Sequence, residues 1–210
     1  MYPQSIQRRL ITVSGAGKMS AQPDVATVQL GVVTKGKDLT RTQQENARVM
    51  TQVIQAVEGT GVPRSNIRTV DYSIQPQYDY IEGQQVFRGY EVRNIVSVTI
   101  ENINQTGTVI DTAVQNGANQ VTNIEFSVQN PEALYQEALS KALKEAYRKA
   151  QTIAQTMRMQ LDPSPIKVVE RKQEGVVPLA QTAVFSAPTP IEPGQLEVEA
   201  FVEVQFQVYV

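Results

Sequence analysis

Residues 130–161, NPEALYQEALSKALKEAYRKAQTIAQTMRMQL, decide the fold class, because they hold the longest helical pattern in the chain. Asn130 suits a helix cap and Pro131 the first turn, where a missing N–H costs nothing. Pro163 is expected to end the helix, giving a span of about 131–160, on the order of 43 Å at 1.5 Å per residue. Ala138, Ala142, Ala146, Ala150 and Ala154 form a ridge of methyl groups that lets another element approach closely. Leu134, Leu143, Ile153 and Met157 are expected to fill its flanks. Glu137, Lys141, Glu145 and Lys149 alternate in sign at i, i+4 spacing and predict a solvated face.

Outward from this helix the chain alternates between strand and helix periods. The preceding strand turns Ile124, Phe126 and Val128 inward, and a short helix over about 108–115 stops at Asn116 and Gly117. Residues 89–101 place Tyr90, Val92, Val96, Val98 and Ile100 on one face, where Asn94 is expected as a hydrogen-bonded core or rim residue. They form a hairpin, with its tip at Glu82 and Gly83, with a strand from Ile67 whose Val70, Tyr72 and Ile74 point inward. Further upstream, Asp38 or Thr40 opens a helix with Ala47, Met50, Val53, Ile54 and Val57 on one face. Before it, residues 23–36 read as a half-buried strand. Leu10–Val13 reads as a short strand and 14–18, SGAGK, as a glycine turn, since its lysine is misplaced for a phosphate loop.

Downstream, a brief strand over 166–170 leads to a proline-rich segment at about 171–195, whose length suggests mobility or a task. From Leu196 to Val210 every second residue is apolar, a strand far longer than usual. Residues 1–9 read as a flexible tail. The stretches 53–75 and 109–129 share a helix end, a glycine, an Asn-Ile pair and a strand closing on Ser, an aliphatic residue and Gln. The fold class is therefore α+β: antiparallel sheets with helices on one side, in two similar halves of about 10–104 and 105–210 within a single module.

Composition narrows the chemistry. Cysteine, histidine and tryptophan are absent, which removes thiolate nucleophiles, disulfides, Cys/His zinc sites and histidine-based triads. No catalytic residue, cofactor or metal site is expected. With 19 basic and 21 acidic residues well mixed, nothing points to nucleic acid. No apolar run is long enough for a transmembrane helix, and the N-terminal residues MYPQSIQRRLITVSG carry no signal-peptide pattern. As the sequence stands the expected location is cytoplasmic.

The stretches ITVSGAGKMSAQPDVA, NIRTVDYSIQPQYDY, GYEVRNIVSVTI, VIDTAVQNGAN, NIEFSVQN, KALKEAYRKAQTIA and PIEPGQLEVEAFVEVQFQV follow one another at specific spacings. In this order the chain resembles the SIMPL-domain family of YggE-like bacterial proteins. The resemblance implies an α+β fold, large ring-shaped homo-oligomers and a link to oxidative or envelope stress. It carries no established catalytic residues. Its members are commonly exported, so a periplasmic location is the alternative.

Two clusters stand out as candidate sites. Tyr78, Asp79, Tyr80, Phe87 and Arg88 lie at the hairpin tip, where aromatics either pack across the strands or contact a partner. Glu197, Glu199 and Glu203 share a strand face on which alternate residues lie about 7 Å apart, a spacing open to acid/base work, to a divalent cation or to solvated edge charges. Two functions follow: a non-enzymatic, self-assembling scaffold or stress-protective binding protein, and a hydrolase or lyase using carboxylates and tyrosine. In the first, the long strands 89–101 and 195–210 are expected to project and join subunits.

Overall fold

A computed structural model describes residues 9–171, 177–179 and 189–209. It is α+β, with two antiparallel sheets and two compact units. The described residues within Met1–Gln22, Asn130–Gln181 and Gly194–Val210 form one unit, and those within Pro23–Gln129 and Thr182–Pro193 the other. These units cross the division expected near residue 105. The cause is the pairing of the chain's two end strands, from Arg9↔Val208 to Ala21↔Leu196, which places sequence-distant segments in one sheet.

The unit holding the chain ends contains β1 (Arg9–Ala21), α3 (Pro131–Thr156), β6 (Gln160–Arg171), β7 (Val177–Leu179) and β8 (Gln195–Tyr209). Strand β8 lies between β1 on one side and β6 and β7 on the other. Its alternation holds as expected, with Leu196, Val198, Ala200, Val202, Val204, Phe206 and Val208 buried; Val210 falls outside the described residues. All five alanines of the ridge are buried against the sheet. Leu143, Ile153 and Met157, expected at the flanks of that contact, are instead exposed.

The glycines at 14–18 are not a turn. Strand β1 runs straight through them, because a Cβ at Gly15 would run into the Ala142 carbonyl oxygen and one at Gly17 into that of Ala138. Glycine on the strand and alanine on the helix let two backbones meet where larger side chains would hold them apart.

Helix α3 begins as predicted, with the Asn130 Oδ1 accepting from the Ala133 N–H at 3.1 Å and Pro131 in the first turn. It ends at Thr156, short of residue 160 and without help from Pro163. Arg158 takes a left-handed φ of 54°, and the Met159 and Arg158 N–H groups close on the carbonyls of Ala154 (2.8 Å) and Gln155 (3.1 Å). This is a Schellman stop with arginine in the usual glycine position. Pro163 and Pro165 fall within β6, an edge strand that tolerates missing N–H groups.

The other unit runs β2 (Val25–Gly36), α1 (Leu39–Gly59), β3 (Ile67–Ile81), β4 (Gln84–Ile100), α2 (Thr106–Gln115) and β5 (Gln120–Ser127). The strand order β3-β4-β2-β5 interleaves two β-α-β crossings, β2-α1-β3 and β4-α2-β5, in a ferredoxin-like arrangement. The sequence echo of 53–75 and 109–129 marks the helix-to-strand part of each crossing. Both helices pack through Met50, Val53, Val57, Val109, Ile110 and Ala113 onto one sheet face, with Leu30 and Val98 among the buried strand residues. The edge strand β3 departs from expectation, because Val70 and Tyr72 are exposed. On β5, Ile124 is exposed as well.

The two strands expected to project, 89–101 and 195–210, do not run as unpaired chain. Strand β4 lies between β3 and β2 from Tyr90 to Val98, and β8 lies between its neighbours, so their backbone groups there are largely taken. Among the described residues, the edges without a partner strand belong to β1, β3, β5, β6, β7 and residues 84–89 of β4.

Candidate functional site

Strand β2 ends at Gly36, opposite Tyr90. Beyond that pair, residues 77–81 and 84–89 pair only with each other and leave the sheet as a two-stranded ribbon. Gly89 marks the exit: its φ is 142°, and a Cβ there would approach the Gly36 carbonyl oxygen to 2.5 Å. Arg88 is the extra residue of a bulge, since the register passes from Gln77↔Gly89 to Tyr78↔Phe87. At the tip Glu82 and Gly83 both have positive φ, 51° and 81°, the pattern of a type I′ turn.

This geometry places the five candidate residues together. The Phe87 ring stands edge-on to Tyr78 at 5.7 Å and to Tyr90 at 5.2 Å, so the aromatics do pack across the strands. The Arg88 Nε meets the Asp79 Oδ2 at 2.7 Å. Tyr80 is left outside this stack with 77% of its surface exposed, and Ile81, Val86, Tyr78 and Phe87 are exposed too. An isolated two-stranded ribbon is marginal in water, and this one keeps its apolar side chains exposed.

The charge ladder of α3 does something the sequence did not suggest. Its residues turn onto the outer edge of β1: the Ala16 N–H donates to the Glu145 Oε2 at 2.5 Å, the Lys141 Nζ to the Lys18 carbonyl at 3.1 Å and the Lys149 Nζ to the Ser14 carbonyl at 3.0 Å. Lys149 also pairs with Glu145 at 3.1 Å. The Ala16 N–H, followed by the Lys149 ammonium, holds the Glu145 carboxyl below its ordinary pKa.

The acid row is not a solvated edge, because β8 is a central strand. Lys18 bonds Glu197 at 3.0 Å and also Glu199, and Arg171 meets Glu203 at 2.7 Å. Glu199, then Glu197, raises the Lys18 pKa. Each carboxylate has a cation from a neighbouring strand, and no group of three metal-ligating side chains occurs among the described residues. The Tyr135 hydroxyl donates to the Glu170 Oε1 at 2.7 Å, which pushes its pKa up to about 12.

Sequence reading missed Asn46. It is wholly buried on the apolar face of α1, and its Nδ2 donates to the carbonyls of Val32 (2.9 Å) and Val92 (3.0 Å). Its signal was an asparagine four residues before Met50, on the stripe that continues through Val53 and Val57. Asn94 does not meet the expectation of a fully bonded asparagine: its buried Oδ1, like that of Asn46, has no donor among the described residues.

The SIMPL family, described as a protein of unknown function (DUF541), matches residues 11–206, and the chain belongs to it. The chain is 27% identical over 153 residues to "Uncharacterized protein YggE" of Escherichia coli (strain K12), covering 73% of this chain and 62% of that relative. The aligned part thus falls well short of the relative's full length. Over 214 residues it is 28% identical to the "26 kDa periplasmic immunogenic protein" of Brucella melitensis, covering 94% of this chain and 84% of the relative. It is also 22% identical over 178 residues to "Uncharacterized protein YggE" of Edwardsiella ictaluri, covering 84% of this chain and 74% of the relative.

Proposed function

We propose that the chain is a non-enzymatic, self-assembling binding protein whose copies meet through the ribbon, with Tyr78, Asp79, Tyr80, Phe87 and Arg88 at the contact. The observation that carries this reading is the ribbon itself: a pair of strands beyond its sheet, with exposed aromatics and a bare outer edge on residues 77–81. Among the described residues, three of the other edges carry protection. Strand β6 has two prolines, β5 is bent at Asn123 with φ 53°, and β1 is covered by α3 side chains. Ring-shaped closure and a stress-protective role are proposed from the family resemblance. The periplasmic name of the Brucella relative favours export over the cytoplasm.

Deleting residues 80–86 tests the reading by sedimentation at micromolar concentration. The parent is expected as a multimer and the deletion variant as a smaller species. A monomeric parent, or a variant with the parent's profile, overturns it.

A further inference from the structure

The contacts of Lys141, Glu145 and Lys149 with β1 match in period. Four residues of helix rise about 6.0 Å and two residues of strand about 6.6 Å, so side chains at i, i+4 and i+8 reach alternate residues of a strand running the other way. Lys149 meets Ser14, Glu145 meets Ala16 and Lys141 meets Lys18. Those alternate residues are the ones whose backbone groups point away from β8. Two ammonium groups take two outward carbonyls, and one carboxylate takes an outward N–H. They occupy three of the six outward backbone groups at these positions, groups that an added strand would use. Gly15 and Gly17 sit between these positions and bring the helix close enough for the side chains to reach.

We propose that β1 is a strand-addition edge held shut by this Lys-Glu-Lys clasp, and that the occupant it excludes is β1 of a second copy, pairing antiparallel. A strand edge with its backbone groups free is a template for its own kind, and β1 is 13 residues long. The clasp thereby confines contact between copies to other surfaces. This inference concerns an edge apart from the ribbon and holds whether or not the ribbon assembles.

The test compares the parent with the triple variant Lys141→Ala, Glu145→Ala, Lys149→Ala, and with that variant carrying Ala16→Pro in addition. The proline removes the outward N–H at the centre of the edge while leaving the bonds to β8. In sedimentation at micromolar concentration the triple variant is expected to show a species heavier than any of the parent, and the proline is expected to abolish it. A triple variant that sediments like the parent, or a heavy species that survives the proline, overturns the proposal. Amide exchange in the unaltered protein supplies a reading independent of the variants. Ala16 is expected to exchange roughly tenfold or more slowly than Thr12 and Ser20, outward positions on the same edge without such a partner among the described residues, as a hydrogen bond to a charged acceptor implies. Equal exchange at the three positions overturns the clasp. A monomeric parent would overturn the ribbon reading and leave this comparison intact.

Discussion

Strand β1 and the β3–β4 ribbon are both places where backbone faces outward, yet they are built in opposite ways. At β1 a helix lies at backbone distance, seated on Gly15 and Gly17 by its alanines, and its charged side chains occupy the outward backbone groups. At the ribbon no helix among the described residues follows the strands past Gly36↔Tyr90, Phe87 stacks on Tyr78 and Tyr90, and Tyr80 stands in solvent. The difference teaches where close packing falls: at β1 a helix fills the space beside the strand, whereas the ribbon keeps its apolar side chains exposed, which is why the proposed contact between copies is placed there.

Substitutions can break this contrast at either end. Gly17→Val should do the most damage, since its side chain would meet helix backbone that cannot step aside; about 3 kcal/mol or more should be lost in chemical denaturation. Ala146→Leu, in the same seam, should cost about 1–3 kcal/mol, while Lys144→Leu on the outer helix face should cost little. If Ala146→Leu melts with the parent, the seam is looser than described. Glu82→Asn in the ribbon should gain less than about 1 kcal/mol, because asparagine tolerates positive φ better than glutamate.

A pH titration sharpens the β1 side. The folded-state pKa of Glu145 is depressed, so its contact with Ala16 contributes stability above the ordinary carboxylate value of 4.5 and loses it as pH falls through the lower folded value. The Ala16 amide proton shift should follow that titration below pH 4.5. An Ala16 shift that is flat there would separate the two groups.

Much of the fold was legible because it is written in local periods. The alanine ridge, the alternation of β8, the Asp38 and Asn130 caps and the Asn116-Gly117 stop each depend on residues within a few positions. What escaped depends on distant partners. Gly15 and Gly17 look like a turn until α3 is laid over them, and Lys141, Glu145 and Lys149 look solvated until β1 is beside them. Val70 and Tyr72 alternate like core residues but belong to an edge strand. Of the candidate site, the pairing of Tyr78 with Phe87 followed from the turn at Glu82 and Gly83, whereas the exit at Gly89 needed the length of β2. Asn46 escaped because a polar residue amid an apolar stripe has no local cue to its buried carbonyl partners.

The central claim is that the ribbon joins copies while contributing little to the stability of each. It is tested most directly by measuring solution mass and melting temperature together for the parent and the Tyr80→Ser, Phe87→Ser double variant. The account predicts a multimeric parent and a variant that falls to a smaller species while its melting temperature stays within a few degrees, as surface changes do. A parent that is monomeric at micromolar concentration, or a variant that keeps the parent's mass, would contradict it.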